Sequence, residues 1–170
     1  MVRINPVPLA ELPPSLSAAV ARGVESRLLS STLPVQIWAH RPAVAEAWLA
    51  ALEAIQTSGC LDARLRELVR LKIASVTNCH ACQIARKTDT VSEDDINCRD
   101  WSDPHFTPAE QAALHYAQLF ADDYFAINDT HYAALESQFS TEQIVELNLF
   151  CALMLAGGRM TFVQQAYEAE

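Results

Sequence analysis

Helix signals follow one another along this chain and almost nothing in it favours a strand, which limits the fold more than any other feature. The stretch "FTPAEQAALHYAQLFAD" shows the pattern in full. Thr107 is placed to cap a helix, Pro108 fits its first position, and Glu110 falls three residues after the cap, where it can reach back to the Thr107 amide. Apolar residues then recur every three to four positions. Only four glycines interrupt the chain, and no apolar–polar alternation lasts long enough to build a strand. The expected fold is therefore all-α.

The other elements follow from the same signals. Residues 1–14, with Pro6, Pro8, Pro13 and Pro14, read as an extended arm. A first helix is expected over 15–29 and a second over 34–55, interrupted near "AHRP", where Pro42 can restart it. Asp62 opens a helix carrying Leu65, Leu68, Val69, Ile73 and Val76 at helical spacing, and this helix should end near Asn78. A short helix then carries two cysteines. Ser92 with Asp95 marks a small capped helix, a short one is expected over 130–138, and Ser140 with Gln143 opens the last. From Leu147 to Ala156 that last helix is apolar almost all round, so it is expected to be a buried central helix. Gly157 and Gly158 within it suggest a close helix contact or a kink. Seven or eight helices in a single domain over 1–170 is the expectation.

At 170 residues the chain can bury roughly 70% of its extended surface, so it needs neither disulfide nor metal to fold. A net charge of −9 and a pI near 4.9 speak against nucleic acid or an anionic membrane surface as partner, since both call for a basic face. No run of 18 uninterrupted apolar residues occurs, so no membrane span is expected. The start "MVRINPVPLAELPP" has no apolar run of the signal-peptide kind. A cytoplasmic location is the resulting expectation.

The chemistry concentrates in "TNCHACQIARK". Five cysteines, Cys60, Cys79, Cys82, Cys98 and Cys151, are an odd set for a disulfide framework in a reducing compartment. A zinc site is not expected, because no second C-x-x-C exists and His40, His105, His115 and His131 are scattered. Two buried small side chains are the plain alternative. The placement favours a redox pair instead. Thr77 and Asn78 are cap-type residues that would set Cys79 and Cys82 in the first turn of a helix, where a thiolate is favoured. Arg86, four residues after Cys82, adds positive charge, and a thiol with a lowered pKa beside a partner thiol is what thiol–disulfide exchange requires. Glu67 is a carboxylate on a column otherwise apolar or small, with Arg64, Arg66, Arg70 and Lys72 lying mostly elsewhere around the helix. A chain reversal at Asn78 would bring Glu67 to Arg86 as a half-buried ion pair.

Glu67, eleven intervening residues, then Cys79-x-x-Cys82 resembles the E-x11-C-x-x-C-x3-H signature of alkylhydroperoxidase D-like proteins of the carboxymuconolactone decarboxylase superfamily. The likeness extends through the "IWAHRPAVAEAWLAALEAI" and "LDARLRELVRLKIASVTNCHAC" helices to "FSTEQIVELNLFCALMLAGGRM". It implies an alkylhydroperoxidase D-like helical fold, assembly into trimers or hexamers, and peroxide or disulfide reduction fed by a dithiol donor without a bound cofactor. It further implies Cys82 as the thiol that attacks peroxide, Cys79 as the one that resolves it, and Glu67 as a relay carboxylate. The relay histidine position is Arg86 here, and a guanidinium cannot take up a proton as a general base. Some relatives carry a histidine directly before the second cysteine. That position is Ala81, and His80 lies roughly 100° away around a helix, a supporting group at most. A redox-inactive or redox-sensing oligomer is the alternative, and lactone decarboxylation a further one. His115, Tyr116 and Tyr124 are read as packing rather than pocket residues, Cys98 as a spare thiol and Cys151 as core.

Overall fold

The structure, a computed structural model, describes residues 2–98 and 100–167, with the side chains of His80 and Ala81 also outside the description. Nine α-helices and no strand occur among the described residues. They are α1 (Pro14–Glu25), α2 (Leu33–Trp38), α3 (Pro42–Ser58), α4 (Ala63–Val76), α5 (His80–Ile84), α6 (Glu93–Asn97), α7 (Pro108–Asp122), α8 (Asp129–Glu136) and α9 (Thr141–Gln164). The chain divides into two compact units, Met1–Ser58 with Arg159–Glu170, and Gly59–Gly158.

In the first unit α1 and α2 pack on α3. Leu12, Leu16, Val20, Val35, Ala45 and Leu49 close together into a core, and Trp38 meets Trp48 edge-on. The expected interruption at "AHRP" separates α2 from α3, with Pro42 opening α3. Helix α1 ends earlier than expected: Arg27 takes a left-handed backbone (φ 60°), and the chain folds back so that the Leu29 amide reaches the Gly23 carbonyl at 2.8 Å. A Cβ on Gly23 would stand 2.9 Å from the Leu29 side chain, so this reversal needs glycine there.

The second unit is built around α4, which packs on α7 and carries α5 and α6. Leu68, Leu71, Val91, Phe106 and Leu114 form its core. The anticipated starts are present: Asp62 accepts from the Leu65 amide at 2.8 Å, and Ser92–Asp95 and Thr107–Glu110 both form reciprocal capping boxes. Ser140 and Gln143 cap α9 in the same way, with bonds of 3.0 and 3.4 Å. An Arg64 guanidinium then joins two of these caps, meeting Asp95 at 2.7 Å and Glu110 at 2.7 Å. His105 adds a 2.7 Å contact to Asp95.

Two expectations for α9 need correction. It is buried on one side only, through Ile144, Leu147, Phe150 and Cys151, while Val145 and Leu149 on another face are 53% and 57% exposed. Apolar residues all round a helix therefore mark here one face in the core and a second one turned outward. Nor does glycine signal close approach: a Cβ on Gly158 would meet nothing within 4 Å, and α9 continues through both glycines. With a mean hydropathy of 1.3 over its most apolar window, α9 is the one described helix long and apolar enough to cross a membrane by length and composition.

The acidic caps make the second unit sensitive to acid. The Arg64 guanidinium holds the Asp95 carboxyl well below the usual carboxylate range. Burial raises Glu110, but the Thr107 amide and Arg64 outweigh it and leave the group lowered. Lowered carboxyls stabilise the fold at pH above their ordinary values near 4 and lose that contribution as pH falls toward the folded values. Thermal melts should therefore decline below about pH 4. Arg64→Met, which leaves Asp95 only His105 and the Ser92 cap and takes the cation from Glu110, should cost about 2–3 kcal/mol in urea unfolding and flatten that acid limb.

Candidate redox site

Helix α4 ends in a hydrogen-bonded reversal that seats the first cysteine. Asn78 adopts the left-handed conformation (φ 52°), and the Cys79 amide reaches back to the Ala74 carbonyl at 3.0 Å. This is a Schellman-type termination with asparagine in the usual glycine position. Thr77 donates its hydroxyl to the Ile73 carbonyl at 2.8 Å, so Thr77 and Asn78 finish α4 rather than capping α5, as their types had suggested. Cys79 lies just before α5, and Cys82 is its third residue.

The two cysteines form a disulfide, with their Cα atoms 5.2 Å apart. Cys79 is buried (2% exposed), whereas Cys82 is partly accessible. Ile84, 62% exposed, stands at the end of the same short helix. No group of three or more metal-ligating side chains occurs among the described residues.

Behind the disulfide lies a buried ion pair that the sequence reading placed differently. Glu67 is 2% exposed and meets Arg70, not Arg86. Arg70 Nε and Nη2 donate to the two Glu67 carboxylate oxygens, each at 2.7 Å. The same guanidinium donates through Nη1 to the Cys82 carbonyl and through Nη2 to the Ala85 carbonyl, both at 2.6 Å. Glu67 Oε1 also accepts from the Lys87 amide at 3.0 Å. Arg86 turns the other way: it donates to the Gln83 and Ala85 carbonyls and reaches Glu93 at 3.4 Å.

Backbone hydrogen bonding explains the difference. A helix continued past Ile84 would send the Arg86 amide to the Cys82 carbonyl and the Lys87 amide to the Gln83 carbonyl. Arg70 has taken the first carbonyl, Glu67 the second donor, and the Arg86 side chain the Gln83 carbonyl. The helix stops after five residues, so counting outward from the reversal as though two full helices ran back to back misplaces Arg86. The signal that identifies the true partner is Arg70 itself, three residues after Glu67 on the same helix face. The side chain of His80 lies outside the described residues.

The remaining candidates separate. Tyr116 is buried and donates to Asn148, and His115 stacks on Trp101 with ring centres 3.8 Å apart, so both pack as expected. Tyr124 is 60% exposed. Cys151 is core, and Cys98 is half-buried with its thiol toward the Asp100 carbonyl at 3.6 Å. Cys60 acquires a partner that no local pattern signals. Its amide and thiol both donate to Glu146, at 2.6 and 3.1 Å, and that carboxylate pushes the thiol pKa up. Cys60 is thus a poor nucleophile.

The ion pair's role can be read by substitution. Arg70→Met leaves Glu67 buried without a counter-charge and should cost about 3–5 kcal/mol in equilibrium unfolding. Arg86→Ala, which loses the bonds to the Gln83 and Ala85 carbonyls and a partly exposed contact to Glu93, should cost less, about 1–2 kcal/mol.

Residues 42–119 match the Carboxymuconolactone decarboxylase family. No curated protein matches the chain. Solved structures do. The apo debrominase Bmp8 superposes with a TM-score of 0.82 at 18% identity, over 98% of this chain and 91% of its own. A putative antioxidant defence protein AhpD from Agrobacterium tumefaciens gives 0.67 at 23% identity, over 77% and 94%. An alkylhydroperoxidase AhpD core protein, an uncharacterised peroxidase-related protein from Ralstonia eutropha JMP134, gives 0.70 at 20%, over 99% and 93%. Just under half of the chain, including the C-x-x-C pair, is thus similar to the Carboxymuconolactone decarboxylase family, and the chain as a whole has the all-helical alkylhydroperoxidase D-like fold.

Proposed function

We propose that this protein is a thiol-dependent reductase that cycles the Cys79–Cys82 pair between dithiol and disulfide. The observation that carries the reading is the asymmetric pair itself: two cysteines already within bonding distance, one accessible and one buried. Such a pair suits a two-step reaction. The accessible Cys82 thiolate attacks a peroxide oxygen and the O–O bond breaks, giving Cys82 sulfenic acid and an alcohol once the leaving oxygen takes a proton. Cys79 then displaces water to form the disulfide. Two thiols and one hydroperoxide become one disulfide, one alcohol and one water. A cellular dithiol restores the pair, which suits a cytoplasmic setting, where thiols are kept reduced. In this reading Glu67 works through Arg70, holding the Cys82–Ala85 backbone.

A second reading shares the same half-reaction. The overlap with the debrominase, 0.82 over nearly the whole chain, exceeds that with either AhpD-like structure. In place of peroxide, a brominated pyrrole of the kind bound in another structure of that debrominase would lose bromide and gain hydrogen while the two thiols form the disulfide. The outward apolar face of α9, with Val145 and Leu149, supports a homo-oligomer.

The test is turnover of alkyl hydroperoxide and of 2,3,4-tribromopyrrole with a dithiol donor. Hydroperoxide is expected to be consumed by the protein and not by Cys82→Ser. Cys79→Ser should accumulate Cys82 sulfenic acid, read by dimedone labelling and intact mass. Turnover of the bromopyrrole alone selects the second reading. A reversible disulfide with neither turnover selects a redox-sensing oligomer.

A further inference from the structure

Helix α9 carries a second pattern besides the one that faces the core. From Glu142 to Arg159 every exposed residue falls on a single stripe: Glu142, Val145, Leu149, Ala152, Ala156 and Arg159. Their spacing alternates between three and four, a heptad repeat, which gathers them on one side of the helix. Ile144, Leu147, Phe150 and Cys151 occupy the opposite side and are buried, so the stripe takes no part in this chain's own core. At 1.5 Å per residue it runs for about 26 Å. A repeat of this period keeps one seam against a second helix along its whole length.

The order of residues along the stripe selects the occupant. Reversed and laid against itself about the point between Phe150 and Cys151, the stripe sets Glu142 beside Arg159, Val145 beside Ala156 and Leu149 beside Ala152 of a second copy. The same three pairings then recur on the other side of that point. Each large apolar side chain meets a small one, which lets two helices approach closely. Each acid at one end meets a base at the other. Laid parallel and in register, the stripe would instead set Glu142 against Glu142 and Arg159 against Arg159, and like charges so placed repel. A surface that complements its own reverse is what a two-fold axis demands. In a chain of net charge −9, attraction between copies also depends on such a local match of opposite charges.

We propose that α9 pairs antiparallel with α9 of a second copy of this chain through this stripe, giving a two-fold dimer or a larger even-numbered assembly built on it. The apolar centre supplies the affinity, with Val145 and Leu149 leaving water. The two Glu142–Arg159 contacts fix direction and register, since exposed ion pairs add little affinity of their own. The pairing gives the homo-oligomer its contact surface and does not depend on the thiol chemistry.

Sedimentation velocity of the full-length protein over a dilution series should give an even multiple of the 18.8 kDa chain. Leu149→Lys puts a charge against Ala152 of the second copy and should reduce the assembly to half its mass or less. Glu142→Arg and Arg159→Glu each bring like charges together at both ends of the pair, and each should weaken association about tenfold. Combining the two exchanges recreates both ion pairs in reverse and should restore the assembly. Circular dichroism checks folding, and where Glu142→Arg alone disturbs the start of α9, Arg159→Glu and the combined exchange decide. An odd number of copies, or an assembly indifferent to these substitutions, overturns the proposal. A monomer at every dilution also overturns it, and its flotation with phosphatidylcholine vesicles would assign the face to a membrane surface instead. None of these measurements involves turnover, so their failure is distinct from failure of peroxide or bromopyrrole reduction.

Discussion

The Glu67–Arg70 pair is the contact on which the geometry of the site depends. A buried ion pair alone is a doubtful source of stability, since removing two charges from water costs about what their attraction returns. Here the guanidinium also meets two carbonyls of the cysteine segment, and the carboxylate accepts an amide from the loop that follows. Those backbone groups would otherwise need partners, because a helix of five residues satisfies few of its own. One pair of side chains on α4 thus ends α5, fixes the exit of the chain and anchors the segment bearing Cys82. The arrangement works only on a rigid base, and α4, packed on α7 and capped by Asp62, supplies it.

Much of this was legible in the sequence, and the failures share a cause. Helix starts were read correctly at Asp62, Ser92, Thr107 and Ser140 because a cap is a local device, set by a few side chains and the backbone beside them. The cysteine pair and the isolated carboxylate were legible as chemistry. The partner of that carboxylate was not, although Arg70 stands three residues away, because Arg86 reaches Glu67 only if α5 runs on past Ile84. Asn78 misled in a similar way. An asparagine between two helices suits the end of one as well as the start of the next, and the left-handed backbone that decides the matter is invisible in the letters.

Helix α9 shows a different limit. Periodicity records which faces avoid water and says nothing about what covers them. Ile144, Leu147, Phe150 and Cys151 are covered by this chain, whereas Val145 and Leu149 are equally apolar and uncovered. A sequence pattern alone places both sets in one core. Only the fold distinguishes a face that completes the chain from one left for another surface.

The distribution of charge around the disulfide reflects the same economy. Position and proton handling are separate demands, and a single histidine can meet both, being at once a donor and a titrating group. Two arginines meet only the first: they hold carbonyls in place and never change state. The exit of α5 is thereby held at the Cys82, Gln83 and Ala85 carbonyls by groups that take no part in a proton step, while Glu67 holds the loop only as a carboxylate.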